Sequence, residues 1–220
     1  MFEQFRIKIC GTTDSASAEA AAQLGADAVG INFYARSPRY VDPARAHLIL
    51  NALPDNVEAV GVFVHQQLQY GIELMNPFSR IGTLQWHGEN REPTAPGKRR
   101  WIPAFQVRNA GDLKEIDQFL EKARQQGCEP IAILVDAHAP GIPGGTGQIA
   151  PWNLLATYRP GVPLILAGGL TPNNVAEAIR TVRPNAVDVA GGVETAPGCK
   201  DADKMRRFIE NAREAADRFL

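Results

Sequence analysis

Two side chains of opposite chemical aptitude end two apolar runs of this chain. Cys10 closes Arg6-Ile7-Lys8-Ile9-Cys10-Gly11, and Asp136 closes Ile131-Ala132-Ile133-Leu134-Val135-Asp136. A thiolate can take a proton and a carboxylic acid can give one, so together they are equipped to move a proton between two atoms of one substrate. A strand that stops on a reactive side chain and then turns is how α/β proteins present chemistry, because strand ends open onto the ligand crevice. A free cysteine is also a common core filler. Asp136 is harder to assign to packing, since a carboxylate ending a run of Ile, Leu and Val needs a partner or a function.

Other candidates cluster at strand ends too. Gly144-Gly145-Thr146-Gly147, Gly168-Gly169 and Gly191-Gly192 follow three successive apolar runs. Glycine lets the backbone approach a ligand closely, and consecutive N–H groups make an anion nest. One such pair would read as a tight turn; three on adjacent strand ends read as a phosphate site, with Gly145, Gly168, Gly169, Gly191 and Gly192 as its contacts. Arg39, in Ser37-Pro38-Arg39-Tyr40, can grip a carboxylate with two parallel hydrogen bonds. His65 and His87 end two further runs and could form a metal site with Asp136. They come from separate strands without a tight spacing motif, so no metal is expected, and His87 is read as a hydrogen-bonding residue at the substrate. His47 and His138 receive no role.

These residues need a frame. Strand-like runs fall at 6–10, 28–33, 58–64, 83–88, 101–107, 131–136, 164–168 and 186–190, with helical stretches at 15–24, 43–53, 66–75, 112–126, 151–158, 172–182 and 201–219. Val- and Ile-rich strands alternating with helices imply parallel βαβ units covered on both faces. Asp42-Pro43 and Thr171-Pro172 read as helix caps followed by proline at the first helical position. One helix is missing: residues 89–100 contain Pro93, Pro96 and Gly97, which argue for an irregular crossover. Eight parallel strands can close into a single-domain (β/α)8 TIM barrel over residues 1–220. The other arrangement, an open doubly wound sheet, usually has a Gly-x-Gly-x-x-Gly turn after its first strand; here that turn is Cys10-Gly11-Thr12-Thr13-Asp14.

Composition narrows the class. The chain has 220 residues, 45% hydrophobic and 21% charged, with a formal net charge of −1. That balance argues against a general nucleic-acid surface, which needs excess cations to neutralise phosphates. Lys98-Arg99-Arg100 reads as a solvated turn. No run approaches the roughly 20 apolar residues that span a bilayer, and Met1-Phe2-Glu3-Gln4-Phe5 lacks the order of a signal peptide. Three widely spaced cysteines fit a reduced, cytoplasmic setting in which Cys10 is a free thiol.

The assembled segments resemble the phosphoribosylanthranilate isomerase family of tryptophan biosynthesis. The resemblance runs almost end to end, through Lys8-Ile9-Cys10-Gly11-Thr12-Thr13, Gly25-Ala26-Asp27-Ala28-Val29-Gly30, Ser37-Pro38-Arg39-Tyr40-Val41, Gly61-Val62-Phe63-Val64 and Gln85-Trp86-His87-Gly88. It continues through Val135-Asp136-Ala137, Gly144-Gly145-Thr146-Gly147, Leu166-Ala167-Gly168-Gly169-Leu170, Val187-Asp188-Val189, Gly192-Val193-Glu194, Pro197-Gly198 and Lys200-Asp201. It implies a (β/α)8 barrel with neither cofactor nor metal. It assigns the general base to Cys10, the general acid to Asp136, the anthranilate carboxylate to Arg39 and the phosphate to the glycine turns; Asp188, in a matched segment, joins His87 as a substrate contact. The chain departs from the family's usual pattern at Ala190-Gly191-Gly192, where Ser-Ser-Gly is common, at the longer turn 137–143, at Ala150-Pro151-Trp152, and in strand 5, which lacks a Lys and an Arg.

The implied reaction is an Amadori rearrangement of an aminoaldose to an aminoketose. It sets opposed demands, a raised pKa for Asp136 and a lowered one for Cys10. Two other readings stand beside it: a metal-dependent sugar-phosphate epimerase using His65, His87 and Asp136, and a non-catalytic barrel that senses a phosphorylated ligand. The expected partner is a small phosphorylated substrate, with no nucleic acid and no membrane. A monomer is expected, with a homodimer as the alternative.

Overall fold

In the computed structural model, residues 4–65, 67–88, 92–94, 97, 99–136 and 152–219 are described. The eight apolar runs form parallel strands that close on themselves in sequence order. They are β1 (Arg6–Cys10), β2 (Ala28–Asn32), β3 (Glu58–Val64), β4 (Ile81–His87), β5 (Arg100–Gln106), β6 (Ile133–Asp136), β7 (Leu164–Ala167) and β8 (Ala186–Val189). Pairing of β1 with β8 completes the barrel and sets Lys8 beside Asp188; on its other side β1 sets Cys10 beside Gly30 of β2.

Alternation along each strand divides the apolar residues between two cores. Ile7 and Ile9 point outward into the layer beneath the helices, together with Val29, Ile31, Leu166 and Val187. Ile102, Ala104, Ala132, Leu134, Ile165, Ala167 and Ala186 form a separate cluster from β5 to β8. Lys8 shares the parity of Cys10, so both face away from the outer layer.

The helices are α1 (Ser15–Gln23), α2 (Pro43–Ala52), α3 (Leu68–Leu74), α4 (Ala110–Gln125), α5 (Trp152–Leu155), α6 (Val175–Val182) and α7 (Ala202–Phe219). Asp42 caps α2 as its sequence suggests, accepting from Arg45 N at 3.0 Å. Helix α4 starts earlier than its apolar pattern, because Asn109 and Asp112 form a reciprocal capping box. Thr171-Pro172 behaves otherwise. Asn174 folds back, its Oδ1 accepting from Thr171 N at 2.8 Å and its Nδ2 donating to Gly169 O at 3.0 Å. That local turn uses up the segment, and α6 begins only at Val175.

Among the described residues no helix lies between β4 and β5. Large rings cover the strands there. Trp86 and Trp101 are both about 1% exposed, with centroids 6.1 Å apart, and Trp101 meets Phe119 of α4 edge-on. One feature lies outside the alternating strand–helix pattern. After β8 comes a 3₁₀ turn (Gly191–Val193), then a small antiparallel hairpin, β9 (Glu194–Ala196) and β10 (Cys199–Lys200). No described helix is long and apolar enough to cross a membrane.

Candidate active site

The register of β1 with its two neighbours builds one wall of the barrel mouth. Lys8 Nζ donates to Asp188 Oδ1 at 2.7 Å, and both side chains are over nine-tenths buried. Cys10, two residues on and facing the same way, is 8% exposed. Gly30 makes this possible. A Cβ at Gly30 would stand 2.8 Å from Cys10 Sγ and 3.1 Å from Lys8 Nζ, so any larger residue would push these tips aside.

The hairpin after β8 adds a second layer of charge to the same wall. Glu194 is gripped side-on by Arg39, with Nε to Oε1 at 2.8 Å and Nη2 to Oε2 at 2.6 Å. Lys200, fully buried, donates to Glu194 Oε1 at 2.7 Å and to Ala190 O at 3.1 Å. Three cations therefore share two carboxylates around Cys10, and a thiolate would balance the set.

Each group feels that arrangement. Burial pushes the Cys10 thiol up and Asp188 adds to it; Lys8 and Lys200 pull the other way without overcoming them. Burial would lower Lys8, but Asp188 and Cys10 outweigh it and leave it raised. For Glu194 burial alone would raise the acid, yet the hydrogen bonds from Arg39 and Lys200 hold it below the usual carboxylate range. Lys200 ends lowered, burial prevailing over Glu194. The demand for a lowered Cys10 is thus not met in the free protein, because the buried sulfur sits near Asp188.

Among the described residues the opposite wall is open. Asp136 ends β6, half-buried, and lines a cleft of about 1280 Å³ with Tyr34, Arg36, His65, His87 and Gln106. Its backbone carbonyl accepts from Val107 N at 3.1 Å, which ties the end of β6 to the loop after β5. His87 Nε2 lies 2.9 Å from Gln85 Nε2. His65 stacks on Tyr70 with centroids 4.3 Å apart, and its Nδ1 accepts from Gln67 N. No group of three or more His, Cys, Asp or Glu among the described residues is arranged to hold a metal ion.

The glycine turns divide. Gly168 and Gly169 both take left-handed φ values, +89° and +64°, which a residue with a Cβ rarely adopts. Gly191 approaches Arg39, with a notional Cβ 3.3 Å from Nη2. Gly192 is constrained differently from the expectation that it leaves room for phosphate: a Cβ there would lie 1.9 Å from Leu170 O, so the space is taken by the β7 loop. Lys204 and Arg207 of α7 line a 440 Å³ pocket with Gly169 and Gly192. Gly145, the rest of the 144–147 turn and His138 lie outside the described residues.

Lys8, Glu194 and Lys200 join the site although their residue types do not single them out. Lys8 has a readable signal, since it stands two positions before Cys10 on a strand and must share its face. Glu194 and Lys200 carry only their place in the matched segments, because it is the hairpin that folds them back to the mouth.

A closed parallel barrel whose reactive side chains gather at the C-terminal ends of its strands defines a (β/α)8-barrel enzyme. The family profile described as N-(5'phosphoribosyl)anthranilate (PRA) isomerase matches residues 7–211, and the chain belongs to that family of tryptophan-biosynthetic aldose–ketose isomerases. An N-(5'-phosphoribosyl)anthranilate isomerase of Trichlorobacter lovleyi is 45% identical over 215 residues, covering 96% of this chain and 98% of the relative. One from Pseudomonas putida is 44% identical over 211 residues, with the same coverage. Among solved structures, the phosphoribosyl anthranilate isomerase of Thermotoga maritima superposes with a TM-score of 0.82 at 37% identity, covering 96% of this chain and all of its own. Another, in complex with reduced 1-(o-carboxyphenylamino)-1-deoxyribulose 5-phosphate, gives 0.79 at 35% identity and the same coverage.

Proposed function

We propose that Cys10 and Asp136 are the general base and general acid of the family's isomerisation, taking N-(5'-phosphoribosyl)anthranilate to 1-(2-carboxyphenylamino)-1-deoxyribulose 5-phosphate. The observation that carries this is their placement at the ends of β1 and β6, on different walls of one mouth. Asp136, protonated, gives its proton to the furanose ring oxygen as the ring C1–O bond breaks and the anthranilate nitrogen forms a Schiff base. Cys10 thiolate takes the proton from sugar C2, and the electron pair moves through C1 to the nitrogen. The enolamine then tautomerises, C1 gaining a proton and C2 becoming the ketone. Protons only change places within one substrate, so the chemistry calls for neither cofactor nor metal.

Arg39 is assigned to the anthranilate carboxylate. A guanidinium has five donors. Glu194 takes Nε and one proton of Nη2, so the end-on pair, Nη1 and the second Nη2 proton, is left to face a ligand. The phosphate is assigned to the backbone of the turns at Gly145, Gly168–Gly169 and Gly191–Gly192, with Lys204 and Arg207 adding positive charge nearby. His87 and Asp188 are assigned to substrate as well, Asp188 through its place beside Cys10. The protein acts in the cytoplasm, and as a monomer, since one chain supplies every group named. The Thermotoga maritima relative is dimeric, and monomers of it have been generated.

The purified protein should consume phosphoribosylanthranilate, followed by loss of its fluorescence. A folded protein that leaves the fluorescence unchanged would overturn the assignment.

A further inference from the structure

The base has a charged neighbour that the reaction scheme does not use. Lys8 is buried at 5% exposure, where an ammonium ion is costly unless something repays the lost hydration. Asp188 accounts for one of its hydrogen bonds, at 2.7 Å. Lys8 also leans toward Cys10. The notional Cβ of Gly30 meets Lys8 Cε at 3.1 Å, Lys8 Nζ at 3.1 Å and Cys10 Sγ at 2.8 Å. The ammonium and the sulfur thus flank the same void and are at most about 6 Å apart, within the range where opposite charges favour one another's ionised forms.

We propose that Lys8 is the positioning residue that sustains the Cys10 thiolate, that Asp188 aims it, and that Gly30 is glycine so that ammonium and sulfur can approach. This rests on Cys10 being the base of the proposed reaction. Lys8 acts through Cys10 and touches no reacting atom of the substrate. The charged groups around the sulfur all come from this one wall: Lys8 on β1, Asp188 on β8, Arg39 on the loop after β2, Glu194 on β9 and Lys200 on β10. Lys200 and Arg39 share Glu194, whereas Lys8 answers Asp188 and the sulfur.

The direction agrees with the electrostatics of the thiol, which burial and Asp188 raise and Lys8 lowers most among the cations. Without Lys8 the thiol would ionise at still higher pH.

The test is the pH dependence of Cys10 alkylation by iodoacetamide in the full chain, read site by site by mass spectrometry. Exposed Cys199 serves as an internal control. Lys8→Met should move the Cys10 midpoint up by about one pH unit or more, slowing alkylation about tenfold on the rising limb and leaving Cys199 unchanged. The rise of kcat/KM with pH should move by the same amount, with KM for phosphoribosylanthranilate little altered. Lys8→Arg should restore part of the shift, because it keeps the charge. Where Lys8→Met does not fold, Gly30→Ala decides, since it keeps every charge but forces the two tips apart and should also raise the midpoint. An unchanged midpoint in the folded variant would overturn the role of Lys8. If the midpoint moves but the wild-type protein does not turn over phosphoribosylanthranilate, the coupling stands and the functional assignment falls.

Discussion

The two walls of the mouth solve opposite problems. On the β8–β1–β2 side, Cys10 lies among ions that are already paired, buried Lys8 with Asp188, and buried Lys200 and half-buried Arg39 with Glu194. On the β4–β6 side, Asp136 borders a wide cleft with His87 and the exposed Gln106. A base that must hold a charge away from water needs fixed counter-charges around it. An acid that protonates a ring oxygen needs contact with the substrate and room for it. The difference teaches that the closed wall is built for electrostatics and the open wall for access, and each substitution below strains one side of that contrast.

The largest effect is expected on the open wall. Asp136→Asn keeps the shape and removes the proton, so the protein should fold normally and lose about 10² to 10⁴-fold in kcat. Near-normal turnover would remove Asp136 from the mechanism. On the closed wall, Cys10→Ser should cost about 10²-fold or more, because a hydroxyl is far less acidic than a thiol. Activity close to wild type there would hand the base to a different group.

The contrast is sharpened by comparing stability. Glu194→Gln leaves the buried Lys200 ammonium without its carboxylate and should cost about 3 kcal/mol in urea unfolding. Gln106→Ala, on the open wall, should cost less than about 0.5 kcal/mol. Equal losses would erase the distinction between the walls. The pH dependence follows in sign. Glu194 is held below the usual carboxylate range, so its contribution is complete above the ordinary value of about 4.3 and is lost as pH falls through the lowered folded value. In Glu194→Gln that part of the acid denaturation should vanish.

A smaller effect is expected from Arg39→Ala, which should raise KM by about tenfold through loss of a charge-assisted contact. An analogue lacking the carboxylate should bind wild type and variant alike. Equal losses for both ligands would make Arg39 a support for Glu194 alone.

Much of this architecture is legible in the amino-acid sequence. Strand ends at Cys10, His87 and Asp136 follow from apolar runs of fixed period, and the barrel follows from eight such runs alternating with helices. The prolines at 93 and 96 argue against a helix between β4 and β5, and none lies there among the described residues. What stayed hidden is mostly non-local. Glu194 and Lys200 reach the mouth only because a 3₁₀ turn and a two-stranded hairpin reverse the chain after β8, a device too short to leave a periodic trace. Thr171-Pro172 looked like a helix start because sequence spacing cannot show that Asn174 folds back on Thr171 and Gly169. Gly192 has no room on its Cβ side because Leu170 O of the β7 loop occupies that space, a contact that the glycine pair alone does not show. The hairpin and the Leu170 contact join segments far apart in the chain, whereas the Asn174 turn is local but depends on a side chain folding back.

The division of labour between Asp136 and Cys10 is tested most directly by the primary deuterium isotope effect on kcat/KM with phosphoribosylanthranilate labelled at sugar C2. In Cys10→Ser, removal of the C2 proton becomes the slow step, so the effect should rise well above the wild-type value. In Asp136→Asn, ring opening becomes slow and the effect should collapse toward one. An isotope effect that grows in Asp136→Asn and vanishes in Cys10→Ser would contradict the account.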